Sequence, residues 1–297
     1  MSYQAIPDLF KAAAVNWVHD YAQSMGAALA FYMMFSITPL LLIVISIAGL
    51  VFGEDAARGE IFNQLDNMLG TQGALAVQSL IESAGRPTTS VPASVFGLVF
   101  LFIGATSVFG ELQDALDRIW RAPVRAGHSG LWRLLRARLL SFGMILGIGL
   151  LFMVPLAFSA GLAVLNRYWN PLFGEWATLV NTIELTLGFV LPIMVFAMIY
   201  KTMPRARIDW SDVWVGATVT SLLFLAGKFL IGAYIGRTGI SSAFGAAASL
   251  VVVLLWVYYS AQIFLFGAEF TWVYSHRFGS RKGQPLPVAA AAFPAPQ

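Results

Sequence analysis

Uncharged stretches long enough to cross a membrane alternate along this chain with short charged ones. The longest, Thr238 to Ala268, runs thirty-one residues without a charged side chain. As a helix at roughly 1.5 Å per residue it is about 46 Å long, more than a hydrocarbon core of roughly 30 Å requires. Its first part, Ser241 to Ser249, is almost all small; Leu250 to Trp256 is branched and greasy; Phe264 to Tyr274 brings in Gly267, Glu269 and aromatics. Small residues let membrane helices approach closely, so the first half is expected to touch neighbours along much of its surface. Trp272 and Tyr274 are expected to anchor the other end at the membrane interface. The same pattern places six spans at about 26–52, 92–110, 139–166, 176–200, 213–236 and 241–274. Pro39, Pro155 and Pro192 fall inside three of them, where a missing N–H should kink the helix. Gly143 and Gly147 form a GxxxG pair in the third span, a mark of close helix contact.

The segments between the spans carry weaker periodicities. Ile6, Leu9, Phe10, Ala13, Ala14, Trp17, Val18 and Tyr21 recur at helical spacing, with Asp8, Lys11, Asn16, His19 and Asp20 largely between them. This predicts an N-terminal amphipathic helix, either in the membrane interface or on the protein's own loops. Residues 53–90 read as two short amphipathic helices joined by a turn at Gly70-Thr71-Gln72-Gly73. The fold class expected is all-α: a polytopic six-helix membrane bundle forming one domain over residues 1–282. The Pro- and Ala-rich tail, 283–297, is expected to be disordered.

Composition agrees, with 58 % hydrophobic and only 11 % charged residues, against about 25 % charged in soluble domains. The first apolar segment is too long, and too far from a basic start, for a cleaved leader. Basic residues then orient the chain. With six spans, thirteen lie on the side of the termini: Lys11, Arg118, Arg121, Arg125, Arg133, Arg136, Arg138, Lys201, Arg205, Arg207, Arg277, Arg281 and Lys282. Four lie opposite: Arg58, Arg86, Arg167 and Arg237. Positive residues stay inside, so both termini are expected in the cytoplasm.

Candidate chemistry is sparse. There is no cysteine, the three histidines (His19, His128, His276) are scattered, and no GxxxxGK[ST] occurs. Neither a catalytic centre, a metal site nor a cofactor is therefore expected, and the chain reads as a non-enzyme. Arg133, Arg136 and Arg138, beside Trp132, either record topology alone or bind anionic lipid headgroups. RNA binding ranks last, because only Trp120 and Trp132 lie near for stacking. Glu111 and Glu269 fall at cytoplasmic helix ends, either solvated or arginine-paired, or serving as a gate or proton site at a cavity mouth. Glu184 and Lys228 sit at matching depth in the fourth and fifth spans, where an ion pair would offset the cost of burying charge. The alternative has Glu184 at the interface and Lys228 snorkelling outward.

Three segments carry a family resemblance. Ala27-Ala28-Leu29-Ala30-Phe31-Tyr32 with Ser36-Ile37-Thr38-Pro39-Leu40-Leu41 resembles the opening signature of the YihY/BrkB family of bacterial inner-membrane proteins. Leu112-Gln113-Asp114-Ala115-Leu116-Asp117-Arg118-Ile119-Trp120 resembles its second signature. Leu254-Leu255-Trp256-Val257-Tyr258-Tyr259-Ser260-Ala261, continued by Phe266-Gly267-Ala268-Glu269-Phe270, resembles the third. Asp117 departs from the pattern, where asparagine is commoner. The resemblance implies an inner-membrane location and links to envelope integrity, virulence and lipid export; an older ribonuclease label is regarded as a misassignment. The expected function is to bind or move an amphipathic molecule, a lipid above all. A non-transporting scaffold for envelope-assembly partners is the alternative, and membrane lipids are the partners expected.

Topology is directly testable in this cysteine-free chain. Single cysteines at positions 66 and 172 are expected to react with a membrane-impermeant thiol reagent in intact cells. Those at 127, 207 and 283 are expected to react only after permeabilisation, and outside labelling at 127 would overturn the six-span arrangement.

Overall fold

A computed structural model describes residues 5–84, 107–122, 176–237 and 248–283. They form α1 (Ala5–His19), α2 (Ala22–Phe52), α3 (Glu54–Ala84), α4 (107–119), α5 (Trp176–Thr202), α6 (Trp210–Arg237) and α7 (Ala248–Arg277). No strand occurs among the described residues, so the all-α expectation is met there. Within α6 and α7, Trp210–Ile231 and Leu250–Arg277 are long and apolar enough to cross a membrane. Helix α2 adds a third candidate if its two segments, Ala22–Thr38 and Leu40–Leu50, are one span; they meet at 41°, on either side of Pro39. Ser36, in the turn before, donates from Oγ to the Tyr32 carbonyl at 2.9 Å. Pro192 lies inside α5. Pro155, the GxxxG pair, the span expected at 139–166, most of that at 92–110 and the tail from 284 onward lie outside the described residues.

Helix α7 is the hub, packing against α1, α2, α3 and α6. Its contact with α6 explains why. Gly216 on α6 lies against Thr271 on α7, and Gly267 on α7 lies against Thr220 on α6. Each helix thus gives the other a glycine and a threonine four residues apart, and neither glycine has room for a Cβ. Both threonine hydroxyls are satisfied within their own helix: Thr271 Oγ1 donates to the Gly267 carbonyl at 2.7 Å and Thr220 Oγ1 to the Gly216 carbonyl at 2.8 Å. Close backbone approach therefore leaves no polar atom stranded in the apolar contact. Tyr200 of α5 completes the junction. Its buried hydroxyl donates to the Phe264 carbonyl at 2.7 Å and lies 3.0 Å from Thr220 Oγ1.

Burial departs from expectation at the Trp272 end of α7. The densely packed part is Phe264 to Val273, and Trp272 is only 4 % exposed. Trp272 is a core residue and not an interfacial anchor. The reason is local: Gly267, Ala268 and Thr271 let α6 close onto this end and draw Trp272 inward with them. The small-residue run at 241–247 lies outside the described residues.

The N-terminal helix packs on α7 through buried Leu9 and Ala13, with the Phe10 ring 5.0 Å from Phe270 and 6.2 Å from Phe266. Ile6, Val15 and Val18 remain exposed. Helical residues run from Glu54 to Ala84 in α3, with no gap at the turn expected at 70–73. Glycine costs a helix interior only about 1 kcal/mol relative to alanine, and no proline interrupts this run. Yet Ile61 and Ile81 line one cavity. A straight helix would hold them roughly 30 Å apart, so α3 folds back on itself between them, in the stretch that contains Gly70 and Gly73.

Substituting Gly216 or Gly267 by alanine is expected to destabilise the purified protein by about 1–3 kcal/mol, the usual cost of overpacking. Gly188→Ala in α5, where a Cβ meets nothing, is expected to be neutral. Unfolding in graded denaturing detergent measures all three, and combining Gly216→Ala with Thr271→Gly should recover part of the loss.

Candidate functional site

The first turns of α2 and α6 and the last turns of α4, α5 and α7 meet at one end of the bundle, in a single buried cluster with α1. The basic side chains described at this pole are largely engaged. Arg121 stacks on Trp272 at 4.2 Å from the ring centroid, Arg281 on Trp120 at 5.1 Å, Lys201 on Trp210 at 5.4 Å and Arg118 on Tyr21 at 5.8 Å. Such stacking holds a guanidinium or ammonium against an aromatic face.

The chain between α5 and α6 is pinned from three directions. From α4, the Gln113 amide donates to the Met203 carbonyl at 3.0 Å, and Asp117 Oδ1 accepts the Arg205 backbone N–H at 2.7 Å. Lys201 donates to the Ile208 carbonyl. From the turn after α7, Arg281 donates to the Arg207 carbonyl at 2.7 Å. Buried Asp212, in the first turn of α6, accepts the Ser280 hydroxyl at 2.6 Å. A carboxylate there also faces the positive end of its own helix.

Glu269 lies at the centre of this pole. It is fully buried, and neither carboxylate oxygen meets a donor at bonding geometry among the described residues. Two charged groups act on it: the Asp20 carboxyl from the end of α1 and the Arg121 guanidinium from the end of α4. The indole N–H groups of Trp17, Trp120 and Trp272 likewise meet no acceptor among the described residues. Buried polar groups left unpaired cost about 1–3 kcal/mol each, so a cluster of them is held in place by the packing around it. Backbone strain coincides with it. Tyr21, next to Asp20, has φ 57°, and Arg121 has φ 49°; they are the non-glycine residues with positive φ among those described. At Arg121 the left-handed residue ends α4, with the Ala122 N–H bonded to the Asp117 carbonyl at 2.8 Å, in a place where glycine is usual. Strain of about 1–3 kcal/mol at each such residue persists only where the surroundings dictate it.

The residues singled out in the sequence fall differently. Glu269 is buried, which removes its solvated reading; Arg121 is its basic neighbour. Glu111 is half-buried on α4, where burial and then Asp114 raise its carboxyl above the ordinary range. Lys228 is half-buried on α6, while Glu184 lies in α5 with its side chain outside the described set. Arg133, Arg136 and Arg138 lie outside the described residues. Asp20 was missed as a site residue because it reads as one polar position of an amphipathic helix. Arg121 was lost among six arginines of one connection. Neither carries a local signal of meeting Glu269.

Comparison with known proteins identifies the group. The chain matches the family "Virulence factor BrkB" over residues 13–291. It belongs to the BrkB family. The resemblance read from the three signatures is therefore correct, and the curated relatives are membrane proteins by name. A UPF0761 membrane protein of Pseudomonas paraeruginosa is 27 % identical over 93 % of this chain, and one of Tolumonas auensis is 27 % identical over 85 %. The chain spans 65 % of the first and 80 % of the second, and 60 % of a Pseudomonas aeruginosa relative. No solved structure matches. In this BrkB-family chain the second signature does visible work, since Gln113 and Asp117 are the α4 residues that hold the α5–α6 connection.

Asp117, where the second signature was expected to carry asparagine, lends itself to a pH test. Burial raises its carboxyl and the Asp114 charge adds to this, against the Arg205 N–H and guanidinium, which lower it. The net shift is upward. Its contribution to stability is therefore fullest below the ordinary carboxylate pKa and falls as pH rises through the higher folded-state value. Asp117→Asn keeps the acceptor for the Arg205 N–H and removes the titration. The variant is expected to be no less stable than wild type at pH 7 and to lack the decline above about pH 4, as measured by thermal unfolding across pH.

Proposed function

We propose that this BrkB-family membrane protein binds and moves a lipid-like amphipath in the bacterial inner membrane, with both termini cytoplasmic and the Glu269 pole at the cytoplasmic face. The observation that carries the reading is Glu269: a fully buried carboxyl beside a second acid and an arginine, at the end of the bundle where basic residues collect. A carboxyl so placed, with no donor bonded to it among the described residues and Arg121 nearby, is open to a cationic or proton-bearing partner, which is what a gate at a cavity mouth requires. The thirteen-to-four bias of basic residues supports the orientation. The directions of α2, α5, α6 and α7 relative to the basic pole support six spans, and the exposed Ile6, Val15 and Val18 support an interfacial place for α1. Arg133, Arg136 and Arg138 are the proposed headgroup contacts, and Glu184 with Lys228 the proposed pair within the membrane. The protein is read as no enzyme. The second reading, a scaffold for envelope-assembly proteins, is favoured by the pinned connection between α5 and α6, which suits a fixed surface better than a moving one.

Reconstitution in vesicles containing a trace of fluorescent phospholipid tests the choice, with leaflet exchange followed by dithionite quenching. Wild-type protein is expected to speed exchange above protein-free vesicles. Glu269→Ala is expected to slow it by about tenfold, or about 1.4 kcal/mol in barrier height, at unchanged protein content. Exchange no faster than in empty vesicles favours the scaffold, and full activity in the variant removes Glu269 as the gate.

A further inference from the structure

At the end of the bundle away from the basic pole, the fold-back of α3 against α2 encloses a half-open cavity of about 430 Å³. This lies within the roughly 300–1,000 Å³ of small-ligand sites. Its floor is apolar: Ile45 from α2, then Ile61, Phe62 and Leu65 from the first arm of α3 and Ile81 from the second. Ile45 and Ile81 are buried, and Val253 and Val257 of α7 close the same cluster from behind. The rim is polar and carries both signs of charge, with Arg58 and Asn63 on one arm of α3 and Gln78 and Glu82 on the other. Neither rim charge is tied to the bundle. Arg58 pairs with Glu54 one turn away at 2.6 Å, in an exposed contact of the kind worth little. The Glu82 carboxylate accepts the Gln78 amide at 2.9 Å, also at the surface.

We infer that this cavity is a phospholipid site, which takes one acyl chain against the isoleucine floor and a zwitterionic headgroup across the rim. The phosphate meets Arg58, whose fork of donors suits phosphate oxygens. The headgroup ammonium meets Glu82. An apolar floor with a rim of one sign would accept any lipid of opposite charge; a rim with a cation on one arm and an anion on the other selects a head that carries both. The occupant is a lipid of the surrounding bilayer because the chain is a membrane protein and the cavity is half open. The inference rests on the proposed dealings with amphipathic molecules, but places binding at the far end of the bundle from Glu269.

The test uses the full chain in bilayer discs of mixed phosphatidylethanolamine and phosphatidylglycerol. Each lipid in turn carries a photoreactive diazirine midway along one acyl chain, and adducts are located by peptide mass. Phosphatidylethanolamine adducts are expected within 58–65 and 78–82, above the level on the exposed Phe229–Leu230 face of α6. Leu65→Trp, which fills the floor, is expected to remove them. Glu82→Gln is expected to lower the phosphatidylethanolamine adduct by about two- to fivefold, the loss of one exposed ion pair, and to spare phosphatidylglycerol. Arg58→Gln is expected to lower both. Since Arg58 and Glu82 are exposed, neither substitution threatens the fold. Adducts spread evenly over α3 and α6, or unchanged by Leu65→Trp, overturn the site. Equal response of the two lipids to Glu82→Gln overturns the zwitterion assignment. Adducts at the cavity without leaflet exchange would refute lipid movement and keep the site; exchange without cavity adducts would do the reverse.

Discussion

The close approach of α6 and α7 is the constraint on which the described fold depends. Lipid tails are as apolar as leucine, so no hydrophobic gain drives two membrane helices together, and packing and hydrogen bonds must do it. The reciprocal arrangement of Gly216 and Thr220 against Thr271 and Gly267 supplies the packing, and Tyr200 supplies hydrogen bonds from a third helix. The consequences run along α7. Close contact at Gly267 turns Glu269 into the bundle, Trp272 follows one turn later, and Arg121 then finds an aromatic face to lie on. A buried acid and a clamped arginine at the same pole are products of one helix contact.

Much of the fold was legible because spans announce themselves through length and lack of charge. Helices α2, α5, α6 and α7 lie where long apolar runs predict them, and the family follows from three signatures in order. Packing within the spans was less legible. The run from Ser241 to Ser249, expected to be a contact surface because it has many small residues, lies outside the described side chains. The contact seen uses Gly216, Thr220 and Gly227 on α6 and Gly267 and Thr271 on α7. What distinguishes Gly267 from other glycines is the Thr220 and Tyr200 it faces, and that is fixed by the relative rotation of helices, which no local pattern encodes. The fold-back of α3 was foreshadowed by Gly70 and Gly73, although its helical run is continuous.

The candidate site was legible in part for the same reason. Glu269 stood out as a lone acid at the end of a long apolar helix. Its neighbours did not, since Asp20 and Arg121 come from chain segments 249 and 148 residues away. Both sit at or beside a left-handed turn between or after helices, and such turns are set by tertiary demand more than by residue preference. The excess of arginines at this pole looked like a topology signal or a headgroup surface. Several of those described are already stacked on rings or bonded to carbonyls, so part of the charge that orients the chain also fastens it.

The pinned connection between α5 and α6 has a mechanical consequence. With Gln113 and Asp117 holding it from α4, and Arg281 from beyond α7, these four helices cannot shift independently at that pole without breaking several hydrogen bonds at once. They form a stator. Helix α2 has no such tie among the hydrogen bonds of that connection and already turns by 41° beside Pro39. A proline bend has lost one rung of its ladder and flexes more easily than an intact helix. The outer half of α2, with α3 folded against it, is fastened by other means, through apolar packing of Ile45, Val77 and Ile81 on Val253 and Val257 of α7.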